Sequence, residues 1–304
     1  MKSKARKIIA RNWRLYVLML PALIWLIVFA YVPMYGMVIA FKDYKAKMGI
    51  LGSPWAEPLF KHFSAFFSTS IAPQVIKNTV VLSLLTILIS FPVPIIFALL
   101  LNQIKNGKIK KVVQTISLAP YFVSNVVAVS ILYVICAPSG FVNTIIKTFN
   151  GGQALYLTST AEYFRTLYIG SNIWQTMGFS AIVYIAALAG VSWEYHEAAI
   201  MDGATKLKRI LYIDLPLIMP TIIIVFILNI GNIMSIGYEK AFLMQSGTNT
   251  AVSEIISTYV YKVGLQNAQF SFATAVGLFN AVVNFIILII ANTVARKTTD
   301  ISIF

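Results

Sequence analysis

Residues that could do covalent or redox chemistry are few in this 304-residue chain, and their spacing supports none. It has one cysteine, Cys136, and two histidines, His62 and His196, so an internal disulfide is impossible and no zinc-ligand spacing occurs. No cluster of His, Asp and Glu and no nucleophile–base pair can be drawn from the sequence. The phosphate-binding pattern G-x-x-x-x-G-K-[ST] is absent; the nearest stretch, Asn106-Gly107-Lys108, lacks the upstream glycine and the following hydroxyl residue. The expectation is a protein that is no enzyme, with no catalytic residue, metal or cofactor of its own. Charged and small residues concentrate in one place, EAAIMDGATKLKRILYIDLP at 197–216, between two apolar runs.

The elements around that stretch follow from composition. The chain is 59% hydrophobic and 11% charged, against roughly 25% charged in an average soluble domain. Six runs hold no Asp, Glu, Lys or Arg: 15–40, 79–101, 112–137, 166–190, 215–236 and 271–295. Crossing a bilayer takes about 20 residues, and backbone groups in hydrocarbon must pair within their own segment, so these read as six transmembrane helices. The fold class expected is all-α and polytopic. Prolines at 21, 33, 92, 94 and 120 should bend the first three helices. The first run is too long for the core of a cleaved signal peptide, and the basic segment MKSKARKIIARNWR before it is read as retained.

The net charge of +14 lies in short blocks between apolar runs, forms no continuous basic face and points away from nucleic acid. Placing the N-terminus inside puts 15 of the 24 Lys and Arg residues in the four inner segments, 1–14, 102–111, 191–214 and 296–304. Both termini are therefore expected in the cytoplasm, and so is the 197–216 stretch. Among the outer segments, SPWAEPLFKHFSAFF (53–67) mixes aromatics with charge as interfacial segments do, and GFVNTIIKTFN (140–150) reads as a short amphipathic helix ending at Gly151-Gly152. Three regions are expected: 1–73 with the first helix and an outer loop, 74–295 with five spans, and a tail at 296–304.

Taken physically, 194–204 makes a short helix. Glu194 and Glu197 lie in its first turn, where negative charge complements the helix dipole. Ala198 and Ala199 leave a face that another surface can approach closely, and Gly203 allows a positive φ that ends the helix. A second short helix is expected at 205–213, with Pro216 and Pro220 at the start of the fifth span. An ordinary loop with a helical turn and a docking knob both fit this description. The fixed positions decide. Glu197-Ala198-Ala199, three residues, Gly203, nine residues, Ile213, one residue, Leu215-Pro216 resembles the signature of permease subunits of bacterial ABC importers, and Asp202 and Ala204 fit its common DGA form.

That resemblance runs through nearly the whole chain, including YVPMYGMVIAFKDY (31–44), FPVPIIFALLLN (91–102), GYEKAFLMQ (237–245) and SEIISTYVYKVGLQNAQFSFATAVGLFN (253–280), and is weaker at 138–163. It is similar to the carbohydrate branch for polygalacturonan, rhamnogalacturonan, aldouronate and alginate oligosaccharides. The resemblance implies that 194–213 is a coupling helix seated on an ATPase subunit. It implies a second permease subunit, a dimer of ATPases holding ATP and Mg, an extracytoplasmic solute-binding protein, an oligosaccharide cargo, and a place in the bacterial cytoplasmic membrane. An ion-coupled secondary sugar carrier is the rival mechanism. Such carriers keep ionisable groups within the membrane, and the six runs lack them.

A sugar path needs hydroxyl partners and flat apolar faces. Trp174, Gln175 and Tyr184 in the fourth span, Asn229 and Asn232 in the fifth, and Asn280 and Asn284 in the sixth offer both. Their i,i+3 and i,i+4 spacings place each asparagine pair on one helical face. The same amides serve as interhelical hydrogen bonds in membranes, and a tryptophan serves as a headgroup anchor; these readings stay open beside the path. Among outer bases, Lys147, Arg165 and Lys240 could attract an anionic sugar, but nine bases face five acids there, too small a margin to fix the cargo's charge. Glu239 and Lys240 are neighbours in sequence and receive no role.

Overall fold

The computed structural model describes residues 11–299 and 301–303; most of the basic N-terminal segment and part of the tail lie outside them. The described residues are helical apart from turns, with one isolated bridge between Lys42 and Trp55 and no strand. Six stretches have the length and apolarity to cross a membrane: Trp13–Phe41, Ala72–Asn102, Asn125–Phe149, Ala161–Ala189, Lys206–Ile230 and Phe270–Thr299.

Proline placement explains how three of these helices are built. A five-residue π-turn precedes Pro33 (Ile27–Tyr31), Pro92 (Thr86–Ser90) and Pro216 (Ile210–Asp214), each ending two residues before the ring. Proline has no N–H for the carbonyl four residues back and its ring crowds that carbonyl; widening the preceding turn moves the carbonyl aside without ending the helix. Pro21, by contrast, sits inside Trp13–Leu26 with no change of helix type.

Pro120 breaks the third span outright. Gly107–Leu118 and Asn125–Cys136 are separate helices joined by a 3₁₀ turn, Ala119–Phe122, and a short extended link. At about 1.5 Å per residue, the 12 residues of Asn125–Cys136 rise about 18 Å, short of the roughly 30 Å hydrocarbon core. Gly140 folds so tightly against the end of that helix that a Cβ there would stand 2.5 Å from the Val134 and Ile135 carbonyl oxygens. The chain turns at this point, and Phe141–Phe149 is the short amphipathic helix expected there. The third span is therefore the broken pair, both halves packing on Ala161–Ala189.

Two boundaries differ instructively from the apolar runs. The fifth helix does not start at Leu215: Lys206–Arg209, the π-turn and Leu215–Ile230 are one continuous helix, so no separate 205–213 helix exists. It also ends at Ile230, with residues 231–234 in turns. Asp214 thus falls inside a membrane-length helix, where the charge-free run had left it out.

Contacts divide the chain into two compact units. One comprises Met1–Ser68 with Val263–Leu278. None of the first span's most apolar window is buried, so its side chains face outward. Beyond it, Lys42 donates from Nζ to the Ile50 and Leu51 carbonyls and lies 4.9 Å from the Trp55 ring centre. Ser271 Oγ donates to the Lys42 carbonyl and accepts from the Tyr44 N–H, stapling 42–44 to the start of the sixth span. Asp43 takes both contacts of Lys61 Nζ at 2.9 Å, with His62 at 3.2 Å; the Lys61 hydrogen bond holds its carboxyl below the usual value.

The other unit, Thr69–Lys262 with Phe279–Phe304, is built around the fourth span. One buried cluster joins Leu82, Val129, Leu132, Phe164, Tyr168 and Ile255; another joins Ile95, Ala98, Leu99, Ala181, Tyr184 and Ile218. Polar side chains of the second span hold the segment before the sixth: Asn78 donates to the Ala251 and Glu254 carbonyls, and Thr79 accepts from the Ile256 N–H.

Candidate functional site: a polar groove and a capped helix

The fourth span carries a stripe of mixed chemistry. Tyr168, Asn172, Gln175, Thr176, Phe179 and Ser180 recur at helical spacing on one side. Two cavities open along it, of about 640 Å³ and about 280 Å³, and both include Thr86, Asn172 and Thr176 in their walls. The larger is closed at one side by the break in the third span, where Tyr121, Val123, Ser124 and Asn125 line it, and at another by Ile236–Lys240. Non-helical backbone at membrane depth is tolerated where it is buried or lines a cavity. Here Gln175 Nε2 donates to the Val123 carbonyl at 2.9 Å, satisfying an acceptor that the break frees, and Ser124 Oγ caps the next helix at the Val127 N–H. Tyr121 stacks flat on Phe179, ring centres 3.8 Å apart. Hydroxyls, amides and ring faces along one groove suit a polyhydroxylated solute.

The second feature is the helix Trp193–Met201. Ser192 Oγ accepts from the Glu194 N–H at its start. At its end Gly203 has φ +74°, its N–H reaches the Ile200 carbonyl, and the Ala204 N–H reaches the Ala199 carbonyl, a Schellman closure. Glu197, Ala198, Asp202 and Gly203 are exposed, and so are Trp193, Tyr195 and Met201, the last at 87%. One residue of the helix is buried, His196. Trp193 stacks on its ring, and its Nε2 stands 3.2 Å from Asp214 Oδ1; Gln103 Nε2 donates to the other carboxylate oxygen at 3.1 Å. Asp214 is fully buried. A short helix exposed on nearly all sides, with acidic and apolar residues mixed, is thus pinned through a buried acid to the fifth span and to the end of the second.

Residues 76–300 match the family described as binding-protein-dependent transport system inner membrane component. The chain belongs to this family. It is a multi-pass bacterial inner membrane component and no enzyme, and the family favours the importer over the ion-coupled carrier. It is 42% identical over 290 residues to the polygalacturonan/rhamnogalacturonan transport system permease protein YteP of Bacillus subtilis (strain 168), over 95% of this chain and 90% of that protein. It is 39% identical to protein LplB of the same organism, over 97% of this chain and 92% of that one. Among solved structures, a chain of a bacterial ABC transporter involved in the import of the acidic polysaccharide alginate matches with a TM-score of 0.88 at 38% identity, over 97% of this chain and 99% of that one. The alginate transporter in complex with an alginate pentasaccharide-bound periplasmic protein matches at the same score over 98% of this chain.

Within this inner membrane component the seven residues picked out for a path take different positions. Gln175 lines the larger cavity; Tyr184 and Asn229 line the smaller. Trp174 lies on another side of the span, in an apolar cavity with Leu132 and Cys136. Asn232 falls past the end of the fifth helix, in the turn, and donates back to the Leu228 carbonyl. Asn284 accepts from the Met234 N–H and donates to Ser235 Oγ, and Asn280 reaches the same hydroxyl at 3.4 Å. These two hold the turn after the fifth span. Asn229 lies in the last turn of the fifth helix and Asn232 just past its Gly231 cap, and each amide donates to the carbonyl four residues back. The signal that would have found Asn172, Thr176 and Ser180 is the polar stripe itself. Asp214 could have been found as a lone acid in ILYIDLPLI, and Ile213, Leu215 and Pro216 flank it on the same continuous helix.

Proposed function

We propose that this permease subunit of an oligosaccharide importer forms half of a translocation path for uronate-containing oligosaccharides, with the groove on the fourth span as its wall. A second permease supplies the other half, and an extracytoplasmic binding protein delivers the sugar. ATP and Mg are held on a dimer of separate ATPase subunits, and the helix Trp193–Met201 seats on one of them. Both termini and that helix face the cytoplasm. ATP binding closes the ATPase dimer and draws the two coupling helices together. The motion opens the path toward the binding protein; hydrolysis and release return it. The change occurs because ATP binds the closed dimer better than the open one.

The observation that carries this reading is the pinned, capped helix: exposed Glu197, Ala198 and Met201 on one side, His196 joined to Asp214 of the fifth span on the other. The alginate named for the two solved structures and the polygalacturonan and rhamnogalacturonan named for YteP support a uronate cargo. Gentle-detergent purification of tagged protein from its host tests the assembly. A second six-span permease and a Walker-motif ATPase in near-equal amounts are expected. A homo-oligomer with neither, at a yield where membrane complexes survive, overturns it.

A further inference from the structure

Two features of the larger groove cavity are not explained by packing. Lys240, one of its lining residues, is 5% exposed, and its Nζ has no hydrogen-bond partner. An ammonium withdrawn from water without a partner is costly, and an apolar side chain of similar length would fill the same volume without that cost. The helix Asn125–Cys136 begins at the same cavity, with Ser124 and Asn125 in the wall. Its first N–H groups have no partner within the helix, Ser124 Oγ takes that of Val127, and the positive end of its dipole lies there. A buried cation and the start of a 12-residue helix thus meet at one space of about 640 Å³.

We propose that this cavity is a carboxylate subsite of the path, in which Lys240 reads the negative charge of a uronate unit and the first turn of Asn125–Cys136 supplies backbone donors beside it. The proposal rests on the reading of the cargo as uronate-containing. Glu239 also lines the cavity and accepts from Asn125 Nδ2, so the site carries an acid as well as a base. That balance suits a transit site: a cation strong enough to admit a carboxylate, with a fixed anion beside it that keeps the sugar from staying. A permeation site must bind well enough to be entered and weakly enough to be left. Tyr121 and Tyr238 add ring faces and hydroxyls for the rest of the sugar unit.

The test is uptake by the complete transporter in proteoliposomes, with binding protein outside and ATP inside. The probes are tri-galacturonate and its carboxyl-reduced, neutral counterpart, and the variants are Lys240→Gln and Lys240→Arg. Loss of a charged hydrogen bond predicts that Lys240→Gln lowers tri-galacturonate uptake by roughly tenfold or more, with little change for the neutral sugar, and that Lys240→Arg restores most of it. Equal uptake of tri-galacturonate by wild type and Lys240→Gln removes the subsite and leaves the cargo intact. Equal loss of both sugars in both variants makes Lys240 a structural residue and also removes the subsite. Uptake of only the neutral sugar by wild type overturns the cargo reading and the subsite with it.

Discussion

At the scale of single residues, Gly203 separates backbone need from space. Its φ of +74° lies where side chains are strained, and a Cβ there would meet nothing within 4 Å. Substitution in the free subunit therefore costs only conformation, about 1–2 kcal/mol for Ala and less for Asn. We expect sugar uptake to fall in the order Gly, Asn, Ala, Asp, with Gly203→Asp inactive and all four proteins inserted in equal amount; a fully active Gly203→Asp would remove the docking role. This glycine was legible in the sequence because its neighbours fix its place at a helix end. Lys240 was not, since nothing in GYEKAFLMQ says which side chain the fold will bury. Burial lowers its pKa from 10.5 to about 8. Between those values the unfolded chain holds a proton that the folded chain has released, so this group's contribution to stability rises with pH across that window. The groups lining its cavity are Glu239 and the phenols of Tyr121, Tyr168 and Tyr238. Tri-galacturonate uptake should decline as pH rises through about 8, where Lys240 loses its charge. Lys240→Arg, which stays charged, should abolish that decline; an unchanged profile in this variant would assign the titration to another group.

At the scale of elements, six spans were readable because apolarity is a sum over many residues, whereas their joints depend on single contacts. The third span shows the difference. Pro120 announced a bend, but the size of the break depends on what receives the freed backbone groups. Gln175 receives one, and Gly178 lets the fourth span approach the end of Gly107–Leu118 so closely that a Cβ would stand 2.1 Å from the Ser117 carbonyl oxygen. Gly170, on the same helix, has open space where a Cβ would stand, with nothing within 4 Å. Gly178→Ala is expected to destabilise by about 1–3 kcal/mol through overpacking against backbone. Gly170→Ala should be neutral or slightly stabilising, since alanine favours helix over glycine by roughly 0.5–1 kcal/mol. Gln175→Leu leaves the Val123 carbonyl without its donor and should cost about 1–3 kcal/mol. Melting temperatures of the three variants in one detergent check the ranking, and equal values for the two alanine variants would contradict the close approach. The π-turns follow the same logic: the prolines are visible in sequence, but a kink, a π-turn and a full break are alternatives that only the surrounding contacts choose between.

At the scale of the whole molecule, transport requires that work done at a peripheral helix reach the spans. The signature in the sequence marks the segment proposed to dock but not what holds it, because His196, Asp214 and Gln103 are brought together from three separate segments. The carboxylate between His196 and Gln103 has no exposed surface, and it lies on the continuous helix Lys206–Ile230, so in the proposed mechanism Asp214 is the point at which a displacement of Trp193–Met201 would reach the fifth span without an intervening loop. The other connection is the chain itself through Gly203, where residues 202–205 are not helical. If the buried contacts carry the motion, loosening them should separate hydrolysis from uptake and leave docking in place. Asp214→Asn keeps the shape and replaces the acid with an amide; His196→Gln keeps a donor and removes the ring that Trp193 covers. In proteoliposomes containing the complete transporter, both variants should retain ATPase binding and hydrolysis while the sugar moved per ATP falls by roughly fivefold or more, the lower end of typical coupling energies. A parallel fall in hydrolysis and uptake, with the ratio preserved, would mean that the contact only stabilises the docked helix. An unchanged ratio and unchanged rates would return the mechanical role to the backbone link at Gly203.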